Sequence, residues 1–157
     1  MKYHLNFIGT GYALENMQAL VRSLDLEDHV TFHGVINDRE ELRRYYAGSN
    51  LFLFPSFYDN APLVVREAAA MQTPTILLEG STAAEPITDR VNGFLTSRTP
   101  EAYAQVIQNL STDPQTLAYV GVNARKTLAR PWHDVIDEVI NRYDEIIARH
   151  EHTGHKQ

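Results

Sequence analysis

Apolar and polar positions change period several times along this chain, and each change marks an element. Tyr3 to Ile8 alternates and stops at Gly9-Thr10-Gly11, which predicts a strand and a tight turn. Leu14, Met17, Val21 and Leu24 recur at helical spacing, predicting a helix over 14–24. Val30 to Phe32 predicts a second strand ending at Gly34. Asp38 followed by Glu41 forms a capping box that opens a helix through Leu42, Tyr45 and Tyr46. Leu51 to Phe54 is a buried-type strand closed by Pro55. Pro62 suits a first helical position, with the helix running to about Gln72. Thr75 to Leu78 and Gly93 to Leu95 predict two more strands. Thr99-Pro100 and Asp113-Pro114 are cap-plus-proline helix starts. A last helix, about 134–149, carries Val135, Val139, Ile140, Tyr143 and Ile147, before a polar tail over 150–157 expected to be disordered.

Strands alternating with helices over short loops predict an α/β fold, a parallel sheet of about five strands covered by helices on both faces. Ligands of such sheets sit in the crevice beyond the carboxyl ends of the strands. The expectation is therefore a common rim carrying the 9–11, 33–36 and 56–61 loops. The 157 residues suffice for one stable core, and no internal repeat or low-complexity linker interrupts them.

Composition narrows the function. At 43% hydrophobic and 22% charged the chain has an ordinary globular balance. A net charge of −6, with no basic stripe, argues against nucleic acid as a partner. With no cysteine there is no disulfide and no thiolate metal site, which suits a cytoplasmic setting. No apolar run approaches the roughly 20 residues of a membrane span, and Met1 to Gly9 lacks a signal-peptide pattern.

Several chemistries fail on their residues. Gly9-Thr10-Gly11 follows a strand, but Leu14 stands where a dinucleotide fingerprint needs its third glycine. The next strand also lacks the acidic residue that would grip a ribose. His150, His152 and His155 cluster on the polar tail, whereas metal sites need ordered ligands, so no metal ligand set is assigned. No Gly-x-Ser-x-Gly elbow is present.

Glu67 is the position that calls for chemistry. On a helix starting near Pro62 it shares a face with Leu63, Val64, Ala70 and Met71, while Arg66 turns about 100° away. A carboxylate on an apolar stripe needs donors. These are either an internal partner or the hydroxyls of a ligand. The free N–H groups of the same helix start would attract an anion. Anion and hydroxyls together describe a nucleoside diphosphate.

The run Phe54-Pro55-Ser56, Asp59, Pro62-Leu63-Val64-Val65, Glu67-Ala68-Ala69-Ala70 and Thr73-Pro74 resembles the donor-site segment of retaining GT-B glycosyltransferases of family 4, whose mark is two carboxylates separated by seven residues. Glu85-Pro86-Ile87, Asp89 and Asn92-Gly93-Phe94-Leu95 resemble the family's next segment, and the likeness spans roughly residues 5 to 145. The resemblance implies a Rossmann-like domain, most of the C-terminal half of a GT-B enzyme, over 1–149. It also implies a hexosyl transfer from a nucleoside diphosphate sugar to an acceptor hydroxyl, with retention and without a metal or other cofactor.

Residue by residue, the resemblance makes Asp59 and Glu67 the candidate catalytic pair. Glu67 receives the ribose hydroxyls and Asp59 faces the transferred sugar. The diphosphate falls to Ala61, Pro62, Leu63 and Val64 at the helix start, beside Ser56 and Asn60. The nucleobase falls to His33, Gly34, Val35 and Ile36, largely through backbone, and Gly9 and Gly11 form the turn near the diphosphate. Three positions depart from the family pattern: Asp59 replaces a glutamate, Asn60-Ala61 an aromatic-glycine pair, and Gln72 a common glycine.

Family members open this domain with a strand-helix unit whose Arg and Lys clamp the diphosphate, and they carry an N-terminal acceptor domain. Neither matches this sequence, so the expectation is a truncated piece, inactive alone. The parent enzyme's acceptor would be a sugar, a lipid-linked group or a protein, reached through that other domain, at a site in the cytoplasm or peripheral at the membrane. Two alternatives stay open: a non-catalytic nucleotide-sugar-binding subunit of a split enzyme, and a GT-B-fold nucleotide-sugar epimerase.

Overall fold

A computed structural model describes residues 2–153. Among these residues five strands form, each short because its apolar run is short: β1 (Leu5–Ile8), β2 (Val30–Gly34), β3 (Phe52–Phe54), β4 (Thr75–Leu78) and β5 (Phe94–Thr96). Six α-helices alternate with or follow them: α1 (Leu14–Ser23), α2 (Arg39–Gly48), α3 (Leu63–Ala70), α4 (Pro100–Ser111), α5 (Pro114–Leu128) and α6 (Trp132–Thr153). Local signals set the helix starts. The Asp38 carboxylate accepts from the N–H groups of Glu40 and Glu41, Thr99 Oγ1 from Ala102, and Asp113 from Thr116.

All strand pairs are parallel, as expected for helices covering both faces. The single sheet predicted from the sequence is, however, two hydrogen-bonded groups, β1-β2 and β3-β4-β5. Neighbouring ladders require edges at about 4.8 Å, and no ladder joins β1 or β2 to β3 among the described residues. Alternation along a strand could not reveal this, because it records the two faces of a sheet and not its edges.

The core belongs to the larger group. Alternate residues of β3 to β5 serve opposite faces. Phe52, Phe54, Leu77 and Leu95 pack with Val65, Ala69, Ala83, Ile87, Ala124 and Leu128. Leu53, Ile76 and Phe94 pack on the other side with Tyr103, Leu110 and Val120. Ile76, Leu77 and Phe94 are fully buried, each stabilising the fold by about 1.5–3 kcal/mol. By contrast α1 buries no residue, and Leu20 and Leu24 lie exposed. Helix α6 likewise leaves Ile136, Val139, Ile140, Tyr143 and Ile147 exposed.

Three local boundaries differ from expectation. Pro62 is the residue before α3 rather than its first helical one, with ψ at 124°. The helix ends at Ala70, because Gln72 takes a left-handed φ of 62° that an α-helix cannot continue through. Helix α6 continues through Thr153, so 150–153 of the expected tail are helical, while residues 154–157 lie outside those described.

Candidate functional site

The site is built from strand exits and one short helix. After β1, Gly9 adopts a φ of +124°, which only glycine takes without strain, and its N–H donates to the Gly34 carbonyl at 2.7 Å. The turns following β1 and β2 are thereby tied together. Gly11 accepts from the Leu14 N–H at 3.1 Å and so closes the entry into α1.

His33 stands beside this tie. Asn6 Oδ1 lies 2.8 Å from its Nε2 and the Tyr45 hydroxyl 3.0 Å from its Nδ1. An amide oxygen only accepts, so Nε2 carries the proton and Nδ1 receives the tyrosine O–H. Both ring nitrogens are thus committed within the protein, which leaves backbone as the polar surface here. Val35 is exposed and Ile36 half-buried.

The segment after β3 supplies the acidic positions. Ser56 is half-buried, while Asp59, Asn60 and Ala61 are exposed, and Ala61 takes a left-handed φ of 50°. That conformation costs an alanine about 1 kcal/mol, whereas a glycine takes it without strain. The Asp59 carbonyl accepts from Thr82 Oγ1 at 3.0 Å, anchoring the loop to the turn after β4. Next to Thr82, the hydroxyl of Ser81 is buried and makes no hydrogen bond. Pro62 is buried and no side chain caps α3, so the first N–H groups of the helix face out beside Leu63 and Val64.

Glu67 requires a correction. The buried stripe of α3 is Val65, Ala68 and Ala69. The face assigned to the core from sequence contains Leu63 and Val64, and both are exposed. Glu67 therefore lies half-buried on the flank of the helix and does not point into the core. It accepts one hydrogen bond, from the Tyr46 hydroxyl at 3.3 Å. No Lys, Arg or His pairs with it among the described residues. A carboxylate with one neutral donor retains most of its acceptor capacity. Burial, and secondarily the Glu67 charge, push the Tyr46 phenol up to about 12.

Helix α2 links the two halves through adjacent residues, Tyr45 reaching His33 and Tyr46 reaching Glu67. No hydrogen bond among the described residues joins the Gly9–Gly11 turn to the 56–64 segment. Sequence reasoning used Tyr45 and Tyr46 only as helix residues. It also passed over Asn6, Thr82 and Arg98, whose guanidinium lies over the Phe57 ring. The one available signal was a pair of tyrosines in a helix whose other residues are mostly charged. Among the described residues, no group of three His, Cys, Asp or Glu is placed to hold a metal ion, and no helix is long and apolar enough to cross a membrane.

Comparison with known proteins bears on the family and the fold. An uncharacterized glycosyltransferase of Haemophilus influenzae is 34% identical over 94 residues, covering 59% of this chain and 26% of that protein. The D-inositol 3-phosphate glycosyltransferase of Streptomyces griseus is 30% identical over 118 residues, covering 74% of this chain and 25% of that protein. The chain thus spans about a quarter of the length of these relatives. Sucrose-phosphate synthase from Thermosynechococcus elongatus superposes with a TM-score of 0.80 at 27% identity, over 93% of this chain and 39% of the other. Anabaena HepE, solved in complex with UDP, superposes with a TM-score of 0.75 at 20% identity, over 94% and 41%. The fold is that of GT-B glycosyltransferases. The family model for glycosyl transferases group 1 matches residues 1–127, and the chain belongs to that family.

Proposed function

We propose that these residues form the donor site of a retaining, family 4 hexosyltransferase that uses a nucleoside diphosphate sugar. The observation that carries the reading is Glu67, a half-buried carboxylate without a cationic partner, one turn beyond an uncapped helix start. Ribose hydroxyls donate to Glu67, and the diphosphate lies against the N–H groups of Leu63 and Val64. Fixed dipoles at such a helix start stabilise the charge that develops on a departing diphosphate. Asp59, exposed on a loop anchored by Thr82, faces the transferred sugar. The turns at Gly9, Gly11 and Gly34 present backbone to the base and phosphate. The UDP bound in the solved HepE structure and the transferase names of the relatives support this reading.

In the whole protein the sugar passes to an acceptor hydroxyl held by residues outside these 157. Alone, the chain binds donor and transfers no sugar, because the proximity of the acceptor is lost. Calorimetry with uridine, guanosine and adenosine diphosphates tests the site. Glu67→Gln weakens the diphosphate that binds by about 1.5–3 kcal/mol, whereas Asp59→Asn leaves it nearly unchanged and weakens only the corresponding nucleotide sugar. Equal losses for the sugar-free diphosphate in both variants would refute the assigned roles.

A further inference from the structure

We propose that Tyr46 is a positioning residue, whose hydroxyl fixes the Glu67 carboxylate in the orientation that receives the ribose. This inference rests on the reading of Glu67 given above and adds a residue to it. Tyr46 is itself held on three sides. Its carbonyl accepts from Thr73 Oγ1 at 2.6 Å, its ring meets the Phe52 ring edge-on with centroids 5.5 Å apart, and its hydroxyl donates to Glu67 Oε2 at 3.3 Å.

Thr73 is buried, and its N–H donates to the Ala68 carbonyl at 2.9 Å, in the last turn of the helix that carries Glu67. The end of α2 and the end of α3 are therefore clamped together around this one contact. A glutamate on a helix flank turns about three side-chain torsions, and a rigid donor on one carboxylate oxygen removes most of that freedom. The second oxygen, and the remaining lone pair of the first, stay available to two adjacent hydroxyls.

The geometry has a measurable consequence, because hydroxyl recognition separates from phosphate recognition. The probes are uridine, guanosine and adenosine diphosphates, each beside its 2′,3′-dideoxy form, titrated into the whole chain. The readout is the ratio of dideoxy to ribose Kd. A carboxylate receiving both hydroxyls gives a wild-type ratio of about tenfold or more. Tyr46→Phe lowers that ratio by about three- to tenfold, with little change in Kd for the dideoxy compounds. Tyr103→Phe removes a different hydroxyl, one that bonds the Ile76 carbonyl in the core, and leaves the ratio unchanged.

A wild-type ratio near one, or no binding of any probe, overturns the reading of Glu67 itself. A normal wild-type ratio that survives Tyr46→Phe, or falls equally in Tyr103→Phe, overturns the role of Tyr46 alone. Should Tyr46→Phe fail to fold, the contact is read in Glu67→Gln by NMR of ring-labelled tyrosine. Loss of the carboxylate lets Tyr46 ionise at lower pH, and an unchanged titration overturns the proposal.

Discussion

Gly121 lies in the middle of α5, where a glycine costs about 0.5–1 kcal/mol relative to alanine. On helix propensity alone, Gly121→Ala would stabilise the protein. The tertiary structure reverses the sign. A Cβ built on Gly121 would sit 2.2 Å from the Gln72 carbonyl oxygen and 3.1 Å from its carbon. Those atoms are backbone, in the left-handed turn leaving α3, and cannot rotate aside. Nor can α5 retreat, because Val120 and Ala124 on either side are fully buried. Overpacking of this kind costs about 1–3 kcal/mol, and rigid partners on both sides place it at the upper end. Subtracting the propensity gain leaves a net loss of about 2 kcal/mol.

For a chain of this size that lowers Tm by about 4–8 °C, and the urea midpoint by about 1 M. Gly48→Ala is the control. It ends α2 with nothing within 4 Å of the new Cβ and is neutral or slightly stabilising. A midpoint for Gly121→Ala equal to or above wild type, at unchanged m, would refute the reasoning. Because the new Cβ presses on the Gln72 carbonyl, directly before Thr73, ribose discrimination should fall along with stability.

Further outcomes follow from single contacts. Gln72→Gly relieves a left-handed φ worth about 1–2 kcal/mol, offset by about 0.5–1 kcal/mol of backbone entropy. Urea unfolding should therefore show a small net gain, and a loss would contradict it. Asn92 is buried, accepts from the Thr88 N–H, and donates to the Pro86 carbonyl and Thr127 Oγ1. Asn92→Ala takes this partner from the Thr88 N–H and the Pro86 carbonyl, while exposed Thr127 keeps its bond to the Asn123 carbonyl, and lowers unfolding free energy by about 1–3 kcal/mol. Hydrogen bonds from Thr116, and after them the Arg90 charge, hold the Asp113 carboxyl below its ordinary range. A depressed folded value means stability that is full above the unfolded pKa and lost as pH falls through the folded one. Asp113→Asn flattens that acid limb in a pH series of thermal melts.

Local chemistry made much of the fold legible. Thr75 to Leu78 reads as a strand because four apolar or β-branched residues stand between Pro74 and the Glu79-Gly80 pair, and β4 has those bounds. Asp38, Thr99 and Asp113 cap helices because a short oxygen-bearing side chain reaches its own N–H groups whatever lies further away. Asp59 and Glu67 stand on a loop and on the helix that directly follows it, so their order and spacing are likewise set by the local chain. What failed was every question about the far side of an element. Helix α3, Leu-Val-Val-Arg-Glu-Ala-Ala-Ala, is apolar nearly all round, so periodicity offered two stripes and could not choose between them. Packing against α5 and the sheet selected Val65, Ala68 and Ala69 and turned Leu63 and Val64 outward. Tyr46 lies 21 residues from Glu67 along the chain, and the division of the strands into two groups depends on edges. Contacts of that range are made only when the chain closes on itself, and no local propensity records them.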